Sequence, residues 1–311
     1  MLTRTRSEAT TSESAGARIP ALNSPSSSPT TPSPHEPLPD VPLVTIEASK
    51  SWNALNLREI WSYRELLYFL IWRDVKVRYK QTVLGIMWVV FQPALTTIIF
   101  TIFLGKLAQV PSDNLPYPLF VYAALLPWTF FASAVTSSSS SIVGSGNLIT
   151  KVYFPRMIIP ASAIGGRLVD LAVAFIVLIP LMIYYGVSVT GAILVVPLLV
   201  ALVALLAFGF GMWTSALNVK YRDIGVMLPV LIQLWMFASP IVYPSSIVPA
   251  KYQWLYSLNP LVGVLEGFRS SLLGREINWP ALGISTVFTL ALLVYSAYAF
   301  RRMEKTFADI V

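Results

Sequence analysis

GAILVVPLLVALVALLAFGFGMWTSAL, residues 191–217, runs for 27 positions without one Asp, Glu, Lys or Arg. A helix needs about 20 apolar residues to cross a hydrocarbon core of roughly 30 Å, so this stretch reads as a membrane span. Five further stretches of the same kind stand at about 84–105, 118–143, 158–185, 225–243 and 278–300. The whole chain of 311 residues is 55% apolar and 12% charged, where a soluble domain carries about 45–50% and about 25%. Half the usual charge cannot cover a soluble globule of this size. The expected fold is an all-α integral membrane protein with six transmembrane helices.

Outside the spans the pattern changes twice. Residues 1–45 hold eight of the 23 prolines, among runs of Ser and Thr. So little apolar side chain does not offset the entropy of ordering, and the segment reads as a disordered cytoplasmic tail. It has no apolar core of about 7–15 residues and does not read as a cleavable signal. The transmembrane domain then occupies 50–311. From Asn56, where Glu59 completes a helix-start signal, Leu57, Ile60, Trp61, Tyr68, Ile71, Trp72 and Val75 recur at helical spacing. Cations such as Arg58, Arg73, Lys76, Arg78 and Lys80 take the other positions. Aromatics on one face and cations on the other suit an amphipathic helix lying in the headgroup layer, with lipid as its partner; a soluble packing helix is the plainer reading. Between spans five and six, Pro244, Pro249 and Pro260 interrupt 244–277. Its apolar pieces, Trp254–Leu258 and Leu261–Leu265, are expected as short re-entrant helices, tolerated at depth only where protein or water surrounds them.

The net charge of +7 does not point to nucleic acid, because the basic residues flank apolar runs. With the N-terminus inside, 17 Lys and Arg are cytoplasmic and 4 are external, and Arg167 falls within a span. The positive-inside bias therefore puts both termini in the cytoplasm. There is no cysteine, which excludes thiolate metal sites and a Cys nucleophile, and the single histidine, His35 in the tail, leaves little room for histidine-based metal or acid–base chemistry. No G-x-x-x-x-G-K-[ST] phosphate loop, G-x-S-x-G elbow or H-E-x-x-H occurs. The chain is thus expected to have no catalytic residues, no metal and no cofactor of its own. Asp170 stands three residues after Arg167, on one helix face, and the two are expected to pair. So few acids within the spans weigh against proton or sodium coupling, and the energy is expected from another subunit.

Four segments, taken in order on six spans, carry a resemblance. They are Asn147–Arg156 (NLITKVYFPR), Asn218–Gly225 (NVKYRDIG), Ser239–Pro244 (SPIVYP), and Tyr256–Leu261 (YSLNPL) followed by Glu266–Arg269 (EGFR). Over about 50–305 the chain resembles the membrane subunits of type 2 ATP-binding-cassette exporters, in particular the branch that moves O-antigen, capsule and teichoic acid chains. The resemblance implies a multi-pass inner-membrane homodimer that works with two copies of an ATPase subunit, ATP and Mg being held there. It also implies a lipid-linked polysaccharide as cargo; a drug or small lipid is the alternative. The loop with Thr150, Lys151, Tyr153, Phe154, Pro155 and Arg156 would correspond to the helix that couples to the ATPase, and Arg222 to a second contact. An ordinary basic loop is the plainer reading. Asp223 is expected to cap the fifth span. Tyr256, Asn259, Pro260, Glu266 and Arg269 resemble the outer gate, with Glu266 and Arg269 also spaced as an ion pair. Aromatic faces and hydroxyls suit sugar rings, so Trp88, Phe91, Gln92, Trp128, Phe131, Ser137, Trp235 and Phe237 are candidates for the channel wall. Lipid-facing aromatics and packing serines are the plainer reading for each.

Overall fold

The structure is a computed structural model that describes residues 61–80, 85–187, 190–304 and 307. The tail 1–45 with His35, the cap at Asn56 and Glu59, the cation Arg58 and the first residue of the span expected from 84 lie outside the described residues. Among the described residues all regular structure is helical.

Helix α1, Arg64–Lys80, packs against a later helix, α5, Ile158–Tyr184. Leu66, Leu67 and Leu70 turn inward, whereas Trp61, Tyr68, Phe69 and Trp72 stay exposed. The helix therefore has two apolar faces rather than the single one expected, and the aromatic face is left exposed. A glycine allows the approach to α5: a Cβ at Gly165 would stand 2.5 Å from Ile71 Cδ1.

Helix α2, Met87–Phe100, continues as a π-helical stretch, Thr101–Leu107, and together they make a 21-residue span. Pro93 cannot donate to the ladder, and the Thr97 hydroxyl donates to the Pro93 carbonyl at 2.8 Å. Helix α3, Tyr117–Gly144, is the central one; Leu119–Ala124 are almost wholly buried, and it packs on α5, on α6 (Val196–Lys220) and on α9 (Pro260–Leu273). A short helix, α4, Gly146–Lys151, follows it. A 3₁₀ turn, Gly191–Val195, leads into α6. Helices α3, α5, α6 and α10 (Trp279–Glu304) with the α2 span give five helices long and apolar enough to cross a membrane.

The expected span at 225–243 is shorter than its sequence suggests. Helix α7 runs only Ile224–Phe237, 14 residues or about 21 Å. Ser239-Pro240 stops it, since proline lacks the N–H that would continue the ladder. The following Ser239, Pro240, Ile241 and Val242 are buried outside any helix, so their backbone must find partners elsewhere. The region after the break holds two short helices, as expected, and they differ in burial. Helix α8, Ala250–Ser257, has no buried residue, whereas α9 is buried at 12 of its 14 positions. Helix α9 belongs to the core, and a Cβ at Gly263 would meet the Ala281 carbonyl oxygen of α10 at 2.3 Å.

Candidate functional site

The basic loop between α3 and α5 has two kinds of residue. Thr150, Lys151 and Val152 are exposed, and Tyr153 is 82% exposed. Phe154 is 4% exposed and sits in a cluster with Leu70, Ile149, Ile158 and Phe300. Pro155 is half-buried and leads into the first turn of α5. Arg156 donates from Nη1 to the Glu304 carbonyl at 2.6 Å and lies 6.0 Å over the Phe307 ring. Phe154 and Arg156 thus fasten the loop to the bundle, and the exposed run Thr150–Tyr153 is its outward surface. Arg222, in the turn before α7, is exposed too. Asp223 makes no capping hydrogen bond, contrary to expectation; instead Asn218 Oδ1 accepts from Gly225 N–H at 2.9 Å while its amide donates to the Ser139 carbonyl. The longer reach from α6 satisfies the amide.

The expected channel wall separates into surface and core. Trp88, Phe91, Gln92 and Phe237 are exposed on α2 and α7. Trp128 and Phe131 are core residues instead: Phe131 is 0% exposed and packs edge-on to Phe210 and Trp235, at 5.8 and 5.5 Å between centroids. Both lie on α3, whose central position turns aromatics inward on every side. Trp235 is half-buried, and its indole N–H donates to Asn259 Oδ1 at 3.1 Å. The serine run divides by register: Ser138 and Ser139 are buried, Ser140 is exposed, and Ser137 accepts from Arg167 at 2.7 Å.

At the opposite end of α3, two expected gate residues hold the backbone break. Asn259 caps α9 through Leu261 N–H and donates to the Ala238 carbonyl at 3.3 Å. Arg269, 6% exposed, donates from Nη2 to the carbonyls of Pro240 and Ile241 at 2.8 and 3.2 Å, with Phe120 below its guanidinium at 3.6 Å. Arg269 does not form the ion pair with Glu266 that their spacing suggested; among the described residues its guanidinium goes to the two carbonyls, which are buried outside any helix and need a donor. Burial raises the carboxyl pKa of Glu266, against a smaller opposing effect of Arg269. Tyr256 leans on Tyr243, hydroxyl to hydroxyl at 3.4 Å, and Pro260 opens α9.

One cluster escaped the sequence reading. Asp170 pairs with Arg167 at 3.2 Å as expected, but also with Arg78 of α1 at 2.7 Å, and the Tyr79 hydroxyl donates to its other oxygen. Burial and the bond to Asp170 push the Tyr79 pKa up to about 12. The only sequence signal was the single acid of α5 facing the end of a cationic helix.

Three similarities bear on these helices. Two proteins named O-antigen export system permease protein RfbA match: one from Klebsiella pneumoniae at 28% identity over 79% of this chain and 95% of its own length, one from Myxococcus xanthus at 26% over 82% and 98%. The polysialic acid transport protein KpsM of Escherichia coli matches at 26%, over 76% and 92%. The match to the ABC-2 type transporter family covers residues 65–273, from α1 through α9, including the loop, the broken helix and the Asp170 cluster. With this run of apolar helices behind it, the chain is a multi-pass membrane protein that belongs to the ABC-2 type transporter family.

Proposed function

We propose that this chain is the membrane subunit of an exporter that carries a lipid-linked polysaccharide out of the cytoplasm, driven by a separate ATPase. Support comes from three relatives whose names specify O-antigen export or polysialic acid transport, each matched over more than nine tenths of its length. The observation that carries the coupling part is the loop 147–156. Its apolar anchor Phe154 is spent inside the protein, yet it leaves Tyr153 exposed with Lys151 beside it. An exposed aromatic ring flanked by a cation is an inexpensive anchor for a protein partner. The ATPase therefore docks on Thr150–Tyr153, with Arg222 as a second contact, and this end of the bundle faces the cytoplasm, as do both termini. An even number of crossings then requires α7 together with the buried segment 239–242 to complete a sixth.

The subunit works as a homodimer with two ATPase copies. Trp88, Phe91 and Gln92 on α2 and Phe237 on α7 are the wall candidates that remain open to a second copy or to cargo. ATP and Mg belong to the partner, and this chain contributes the path. The reading of a drug or small-lipid exporter draws no support from these relatives. Deletion in the native host is expected to remove the surface glycan and leave drug sensitivity unchanged. The purified chain is expected to hydrolyse no ATP until the ATPase is added; hydrolysis by the chain alone, or intact glycan after deletion, overturns the assignment.

A further inference from the structure

The Asp170 cluster lies between two cavities of different character. One, of about 500 Å³, is walled by Trp88, Val89, Pro93, Phe130 and Leu171. The other, of about 480 Å³, is lined by Ser137, Ser140, Ser141, Ser145 and Ser162 together with aliphatic side chains such as Leu70 and Leu148. Arg78 borders both, and Arg167 borders the first while holding Ser137 of the second. Charge at the junction does not balance. Asp170 is one carboxylate for two guanidinium groups, and the other charges facing either cavity, Arg73 and Asp74, pair with each other at 2.9 Å. Arg78 donates from Nη1 to Asp170 and to the Gly166 carbonyl, and it also hydrogen-bonds the Tyr79 side chain. Two partly desolvated guanidinium groups against one carboxylate leave a surplus positive charge, which favours an oxyanion.

The polarity runs hydroxyl, cation, aromatic. We infer that Arg78 and Arg167 bind the phosphoryl link of a lipid-linked sugar, with the sugar toward the serines and the lipid chain toward Trp88 and Phe130. The site rests on the exporter reading and adds where its cargo is gripped. The bond is charge-assisted, whereas a neutral glycan would leave the surplus charge unanswered.

The test uses the full-length chain in nanodiscs of neutral phosphatidylcholine, with farnesyl diphosphate as the probe and calorimetry as the readout. Saturable binding is expected, with farnesol not binding. Arg78→Gln and Arg167→Gln keep a hydrogen-bonding side chain and leave Asp170 one cationic partner, so the fold should survive. Each is expected to weaken binding roughly tenfold to a hundredfold. Asp170→Asn, which enlarges the surplus charge, is expected to hold or tighten binding, an outcome that a purely structural ion pair would not produce. Wild-type affinity in a folded Arg78→Gln or Arg167→Gln chain overturns the site. So does equal binding of inorganic pyrophosphate, or full competition by phosphatidylglycerol, because either removes the lipid-linked source. Glycan export after deletion and complementation is scored separately: normal export by both variants with normal binding sinks the site alone, and loss of the exporter phenotype sinks the reading beneath it.

Discussion

Phe154 and Tyr153 are adjacent, and the structure gives them opposite duties. Phe154→Ala empties a position that is 4% exposed among Leu70, Ile158 and Phe300. Truncating a buried phenylalanine costs about 3–5 kcal/mol, so the ratio of folded to unfolded protein should fall by about two to three and a half decades. Tyr153→Ala trims a ring that is 82% exposed, and its cost should stay within about 0.5 kcal/mol. Its consequence lies at the ATPase instead, where losing a central aromatic contact is expected to weaken docking by about 1–2 kcal/mol or more. Thermal melting of the purified chain reads the first effect; co-purification of the ATPase and glycan export in cells read the second. Phe154→Ala should melt clearly below wild type. Tyr153→Ala should melt with wild type yet retain less ATPase and export less. If Tyr153→Ala keeps full ATPase retention and export, or Phe154→Ala melts unchanged, the division of the loop into anchor and contact is wrong.

Two glycine substitutions should differ sharply in cost. Gly263→Ala drives a methyl into the Ala281 carbonyl at 2.3 Å, where backbone must give way, so the melting temperature should drop by the equivalent of about 3 kcal/mol or more; Gly165→Ala meets only the movable Ile71 tip at 2.5 Å and should cost about 1 kcal/mol. Arg269→Met preserves length but strands the carbonyls of Pro240 and Ile241; a loss of about 1–3 kcal/mol per stranded group is expected in melts, and a melt equal to wild type would show that water replaces the guanidinium. Glu266 has a carboxyl pKa raised by burial. Its folded-state value thus exceeds its unfolded one, so its neutral form favours folding below the ordinary carboxyl range and that stability is lost as pH rises through the raised value. Glu266→Gln should flatten the fall in melting temperature as pH rises above the ordinary carboxyl range; an unchanged slope would exclude this residue as its source.

The sequence made the long helices plain, because more than 20 uncharged apolar residues admit few other readings. It overstated α7, since hydropathy weighs Ile241 and Val242 like any other apolar residue and does not register that Pro240 ends the ladder. The second external piece is a short helix as expected but extends further than Leu261–Leu265: Gly263 and Gly267 let α9 sink between its neighbours for 14 residues. The loop 147–156 was placed correctly along the chain, but its aromatic pair could not be sorted into inward and outward members without a backbone. Arg78 and Asp170 are 92 positions apart, and no local pattern joins them; only the docking of α1 on α5 does. Trp128 and Phe131 show the limit of reading aromatics by type, since a ring suited to a sugar is equally suited to a core.

The joint after α7 constrains movement as well as stability. Its carbonyls are bound by Asn259 and Arg269, side chains that belong to the next buried helix. The two pieces are laced together, so α7 does not move on its own. Whatever shifts it must carry α9 along as one leaf, or leave bare peptide groups without partners.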